Sequence, residues 1–212
     1  MDKGMTAAVA QLWAKGEFGG AQLGDERRTQ RLVQMAAHAA LRPAGKLTQV
    51  WEEGAEREGA YRLLENEQVQ ARAMGSAAHQ AAFRRARGPY VYVPVDGTSL
   101  SVRAARHKPR DKGFGPVGTA KARARGLEVV NALVVSAQGV ALGPAGQCYW
   151  ARKGVRRKSA ASRPLKDKET RHWVDVLEQV LRARQGAGYT GTPWFQLDRG
   201  GDCRDVLHWA AA

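Results

Sequence analysis

Cysteine is almost absent from this 212-residue chain: Cys148 and Cys203 stand far apart, with no CxxC spacing around either. A disulfide framework needs an even set of recurring thiols, and a structural zinc site needs clustered Cys and His. Neither pattern is visible, which suits a reducing cytoplasm. The histidines (His38, His79, His107, His172 and His208) show no ligand spacing of their own. Long apolar runs are missing too. No stretch approaches the roughly 20 residues of a membrane span, and Met1 to Lys15 holds no continuous apolar segment of the signal-peptide kind. These absences place the protein in the cytoplasm, on the nucleoid if its partner is DNA, with no membrane partner.

Acidic residues are also scarce. Lys and Arg number 34 against 20 Asp and Glu, a formal net charge of +14. A surplus of this size favours a polyanionic partner, because each phosphate contact releases condensed counterions. The surplus is local: residues 103–168 carry 16 Lys/Arg against Asp111, Glu128 and Asp167. With 43% hydrophobic and 25% charged residues the chain is globular, and its length suffices for one large or two small cores.

The periodicity changes once along the chain. Residues up to about 88 read as helical. Asp25 caps ERRTQRLVQMAAHAAL, with Leu32, Val33, Met35, Ala36 and Ala39 as its apolar stripe. A second helix is expected from Glu56 to Asn66, with Ala60, Leu63 and Leu64 inward, and a third from Ala71 to Arg87. Gly88-Pro89 breaks the pattern. YVYVPVDGTSLSV then reads as a strand, with Pro94 arguing for an edge or a bulge. Residues 103–125 read as a basic loop. LEVVNALVVSAQGVALGPAGQCYWAR reads as two strands turning at Gln138-Gly139. KETRHWVDVLEQVLRAR is an amphipathic helix with Trp173, Val176, Leu177, Val180 and Leu181 on one side. WFQLD is a short strand, and CRDVLHWAAA opens a last helix. The fold class is α+β or α/β.

Two aspartates fall near the ends of strands in this reading. Asp96 precedes Gly97-Thr98-Ser99, and Asp198 precedes Arg199-Gly200-Gly201-Asp202. If the first and fourth strands are neighbours, the two carboxylates lie side by side and repel unless a divalent cation sits between them. Hard oxygen ligands suit Mg²⁺, with Mn²⁺ as the alternative. Such ions activate a water or a 3′-hydroxyl against a phosphodiester. An Asp-Gly pair is equally a common turn former.

Four stretches, LGDERRTQRLV (Leu23–Val33), EGAYRLLEN (Glu58–Asn66), VDGTSLSVR (Val95–Arg103) and LDRGGDCRDVL (Leu197–Leu207), resemble the DDE cut-and-paste transposases of the insertion-sequence-four group, transposon-five type. The resemblance implies a helical transposon-end-binding domain over residues 1–88. It also implies a partial ribonuclease-H-like catalytic domain over 89–212, a mixed sheet with helices. It implies that Asp96 and Asp198 are the first two acids of the catalytic, metal-binding triad, with Asp202 in support. The third acid of the family is a glutamate on a helix after a fifth strand. The last glutamate here is Glu178, in the helix before the fourth strand, where it does not serve. The expectation is that this polypeptide alone does not cleave DNA.

Arg27, Arg28 and Arg31 share one helix surface through their three- and four-residue spacings. The resemblance implies contact with transposon-end DNA there; the alternative is a solvated face balanced by Asp25 and Glu26. Glu58, Gly59, Tyr61 and Arg62 read as helix-to-helix packing, and Trp150 as core rather than a base-stacking group. Among the basic-loop cations, Arg103, Arg123, Arg125, Arg156 and Arg157 are candidates for phosphate contact, together with Arg106, Lys108, Arg110, Lys121, Arg152, Lys153 and Lys158. Two functions remain open. One is a Mg²⁺-dependent transposase, or the front part of one, acting on double-stranded DNA at transposon ends. The other is an inactive DNA-binding form that competes with the intact enzyme. A second copy or an intact transposase is the protein partner this leaves open.

Overall fold

The structure is a computed structural model that describes residues 5–44, 46–102, 113–118, 124–152 and 164–211. The chain divides into two compact units, Met1–Arg84 and Arg85–Ala212. No helix among the described residues is long and apolar enough to cross a membrane.

The first unit is helical: α1 (Ala7–Phe18), α2 (Glu26–Leu41), α3 (Leu47–Val50), α4 (Gly54–Leu64) and α5 (Ala71–Arg85). As the sequence predicts, Asp25 caps α2, its Oδ1 accepting from the Arg27 amide at 2.8 Å. α2 is buried on two sides. Leu32 and Met35 join Leu23, Val50, Trp51, Ala60, Leu63 and Ala77. Val33 and Ala37 meet Ala10 and Ala14 of α1. That second contact explains why α1 was not foreseen: it is buried through alanines, which carry almost no apolar signal yet allow close helix approach. The stripes shift slightly from expectation. Ala37 is buried in place of Ala36 and Ala39, and Leu64 is 49% exposed.

The second unit is a mixed sheet. β1 (Tyr90–Val102) occupies the expected strand, and β3 (Arg125–Val135) and β4 (Ala141–Trp150) form the expected hairpin. The hairpin turn places Gly139 at φ +81°, a conformation glycine adopts without strain. A two-residue strand, β2 (Gly115–Pro116), falls in the predicted loop and pairs with the start of β3. β5 (Thr192–Leu197) follows α6 (Arg171–Gly186), and α7 (Arg204–Ala211) follows β5. The strands lie in the order β4-β3-β1-β5, antiparallel from β4 to β1 and parallel between β1 and β5.

Pro94 corrects one expectation. β1 is not an edge strand; it lies between β3 and β5 in unbroken register. The bridges to β3 pass from Tyr92↔Val135 to Val95↔Ala132 and skip Val93 and Pro94. The missing proline N–H is thus absorbed as a gap in one ladder, while Pro94↔Gln196 is kept in the other.

α6 covers one face of the sheet. A Cβ on Gly97 would lie 3.2 Å from the Trp173 ring, and one on Gly146 would lie 3.2 Å from Val176 Cγ1. By strand alternation Val91, Val93 and Val95 share the Gly97 face, and each is at most 2% exposed. Of the predicted α6 stripe, Trp173, Val176, Leu177 and Val180 are buried, whereas Leu181 is 38% exposed.

His79 of α5 is buried, and burial pulls its pKa from 6.5 down to about 4. Between those values the unfolded chain takes a proton that the folded chain refuses, so stability falls as pH drops below 6.5. We expect a loss on the order of 1–2 kcal/mol by about pH 5, and a flatter pH profile in His79→Leu, measured by chemical denaturation.

Candidate carboxylate pair and arginine-bearing helix

The parallel ladder decides where the two aspartates stand. Its last pair is Val95↔Leu197. Asp96 and Asp198 are the next residue on each chain, so they occupy neighbouring positions where the β1–β5 ladder ends. Asp198 follows the end of β5 as expected, but Asp96 is not at a strand end, because β1 runs on to Val102 paired with β3. Both are exposed. Each ties one oxygen to nearby backbone: Asp96 Oδ1 accepts from the Gly97 amide at 2.8 Å, and Asp198 Oδ1 from the Gly200 amide at 2.9 Å. These bonds fix each carboxylate and leave its second oxygen for a partner. Across the sheet, Asp96 is paired in register with Asn131, and Asn131 with Gln147. Gln147 Nε2 donates to Asn131 Oδ1 at 2.7 Å. A polar row therefore crosses the strands beside the carboxylates.

Trp173 lies against the strand residue after Asp96 and the turn after Asp198. Its ring lies 3.2 Å from a Cβ built on Gly97, 3.0 Å from one on Gly200 and 2.8 Å from one on Gly201. A Cβ at Gly201 would force its neighbours to shift, and one at Gly97 or Gly200 would be tight against the indole. Sequence reading placed Trp173 in the core stripe but did not connect it with the aspartates. The signal was present in the glycines after each one.

Beyond the aspartate, β1 is anchored by buried charge. Ser99 Oγ donates to Glu128 Oε2 at 2.7 Å. Arg152 bridges Glu128 (Nη1 to Oε1, 2.8 Å) and Glu169 (Nε to Oε1, 3.1 Å). Glu128 is 7% exposed, and removing the arginine would leave a buried carboxylate unpaired. Arg152, grouped with the phosphate-contacting cations, is a structural ion-pair partner instead. Arg125 also turns inward, Nη2 donating to the Phe114 carbonyl at 2.5 Å. Arg103, Arg123, Arg156 and Arg157, with Arg106, Lys108, Arg110, Lys121, Lys153 and Lys158, lie outside the described residues.

On α2 the three arginines are not equivalent. Arg27 is exposed, and among the described residues its guanidinium has no hydrogen-bond partner. Arg28 is half-buried, with Nη1 donating to the Leu23 carbonyl at 3.0 Å and Nη2 to Gln68 Oε1. Arg31 lies across α4, where a Cβ on Gly59 would come within 3.0 Å of its Cζ. It lines a cavity of about 220 Å³ with Gln34, Met35, His38, Trp51 and Glu56. Gly59 thus seats an arginine, and Arg62 pairs with Glu58 along α4. Gly59 fits the expected helix-to-helix packing; Glu58 and Arg62, exposed and paired within one helix, do not, and Tyr61 is 37% exposed.

A third group was not foreseen. Cys148, His172 and Asp175 bring ligand atoms within 4.8 Å of one another. Burial pushes the Cys148 thiol up to about 11, with Asp175 adding to it. Burial and then Arg171 pull His172 down. Cys148 and His172 are 24 residues apart, so no local spacing could announce the group. Trp150 is half-buried and stacks on His172 with ring centroids 4.0 Å apart.

We expect Gly201→Ala to destabilise the Asp198 turn by roughly 1–3 kcal/mol, because the added Cβ would lie 2.6 Å from Leu197 Cδ2 as well as against Trp173. Gly54→Ala, with open space around it, serves as the control in chemical denaturation.

Residues 10–69 match the family model described as transposase DNA-binding. The match begins within α1 and runs past α4, so it takes in Arg27, Arg28, Arg31 and the Glu58–Arg62 turn, and it ends before Asp96. Over those residues the chain is similar to the DNA-binding part of transposases, which supports a transposase with DNA as its partner.

Proposed function

We propose that the chain is the DNA-end-binding and two-carboxylate part of a DDE transposase of the insertion-sequence-four group, with a ribonuclease-H-like second unit. The observation that carries the catalytic half is the register of β1 against β5, which sets Asp96, within β1, beside Asp198, just past the end of β5. The strand order and sense, with α6 joining antiparallel β4 to parallel β5, support the ribonuclease-H-like reading.

The residues present fit a hard divalent cation. Two exposed carboxylates each keep one oxygen free of their backbone hydrogen bond, and neither forms an ion pair among the described residues. Asp96 and Asp198 would hold Mg²⁺, or Mn²⁺ in its place; the ion would supply an activated oxygen nucleophile and charge neutralisation at a phosphodiester. The chain's own contribution is to set the two carboxylates at neighbouring positions, with each Oδ1 accepting from a backbone amide. Among the described residues no third carboxylate, imidazole or thiol comes close enough to share an ion with this pair. The second reading, a DNA-binding protein that competes for transposon ends without cutting them, rests on the similarity of residues 10–69 to transposase DNA-binding domains.

DNA recognition is assigned to α2, led by Arg27, whose guanidinium is exposed and uncommitted among the described residues. Arg31 supports it from the α4 side, and Arg28 is directed to the fold itself.

The test is binding to a labelled duplex of the element ends against a scrambled duplex across a salt series. We expect end preference to survive raised salt and Arg27→Ala to weaken it about tenfold, with Asp96→Ala unchanged. Equal and steeply salt-sensitive binding to both duplexes would remove the end-recognition assignment. In the same preparations we expect no nicking with Mg²⁺ or Mn²⁺; nicking that disappears in Asp96→Ala would show that the two carboxylates suffice.

A further inference from the structure

Cys148, His172 and Asp175 lie on the opposite side of the sheet from the carboxylate pair's row. Cys148 and Trp150 are two apart on β4 and share its α6-facing side. His172 and Asp175 are three apart on α6 and share one helix face. The packing of α6 on β4 therefore brings a thiol, an imidazole and a carboxylate together from two elements.

The contacts converge on one atom. Cys148 Sγ lies 3.3 Å from His172 Nδ1, and Asp175 Oδ2 lies 3.5 Å from the same nitrogen. A single imidazole nitrogen carries at most one proton. If Nδ1 is protonated it satisfies one neighbour; if it is bare it accepts from the thiol and faces the carboxylate with like lone pairs. Both distances are instead close to the edge of a coordination tetrahedron. Zinc–sulfur and zinc–nitrogen bonds of about 2.3 and 2.0–2.1 Å separate neighbouring ligand atoms by roughly 3.5 Å. The stacked Trp150 ring, inclined by 18° to the imidazole, holds its plane. The Asp175 side chain is 52% exposed, which gives a cation an entry path and the carboxylate room to close the last distance.

We infer that Cys148 Sγ, His172 Nδ1 and Asp175 form a site for one thiophilic divalent cation such as Zn²⁺, which pins α6 to β4. A thiolate with an imidazole selects zinc over magnesium, so this site is distinct in chemistry as well as place from Asp96 and Asp198. Binding forms the metal–sulfur bond and releases the thiol proton to solvent. It also puts the imidazole proton on Nε2. Arg171 Nε, 3.5 Å from that nitrogen, then turns aside, while its Nη1 stays on the Lys166 carbonyl at 2.6 Å. Three protein ligands leave the fourth position to water.

The test uses the reduced full chain titrated with Co²⁺ and then with Zn²⁺. We expect a thiolate-to-cobalt charge-transfer band that saturates at about one equivalent per chain and is displaced by Zn²⁺. The band is lost in Cys148→Ser and kept in Cys203→Ser and Asp96→Ala. Asp175→Asn, at a half-exposed helix position, weakens binding by about tenfold or more with its circular dichroism intact, and so decides the matter if Cys148→Ser does not fold. Absence of the band in folded wild-type chain, its survival in Cys148→Ser, its loss in Cys203→Ser, or unchanged affinity in Asp175→Asn would overturn the assignment.

Discussion

The parallel pairing of β1 with β5 is the constraint on which the second unit depends. It joins segments almost a hundred positions apart, Tyr90–Val95 and Thr192–Leu197, and everything between must return the chain to that register. A parallel pair cannot be closed by a tight turn, so the connection runs through the β3–β4 hairpin and α6. The hydrophobic residues of α6 bury the valine face of β1, while Pro94 is held in the middle of the sheet by neighbours on both sides. A one-residue slip of β5 would turn Phe195 and Leu197 to the wrong face and separate the two aspartates in one movement. Packing and the candidate site therefore enforce the same register.

Most of the architecture was legible because it is written in periodicity. YVYVPVDGTSLSV alternates, so β1 was found with its ends. RHWVDVLEQVLRAR repeats at helical spacing, so α6 was found as well. What escaped was carried by small residues or by distance. α1 is buried through Ala10 and Ala14, which look neutral in any hydrophobic pattern. β2 is two residues long and exists only because β3 offers it an edge. Pro94 was judged by its local rule, and the rule yielded to pairing on both flanks.

The candidate site divides in the same way. Asp96 and Asp198 could be named from the strand pattern and from the resemblance; the register sets them side by side, although only Asp198 stands at a strand end. The cations could not be ranked from sequence. Arg27 and Arg28 are adjacent letters, yet one faces solvent and the other is bound to a carbonyl and an amide. Arg125 and Arg152 belong to a strongly basic stretch, yet each is turned onto its own protein. Charge counted along a chain measures what it carries rather than what it offers to a partner.

The indole of Trp173 beneath three glycines has a mechanical consequence. Gly97 belongs to a strand paired on β3, whereas Gly200 and Gly201 belong to the turn after β5, and the two kinds of backbone would ordinarily move differently. Here one aromatic plate lies against both. A displacement of α6 would therefore press on strand and turn at once, so that the backbone beside each carboxylate answers to the same helix.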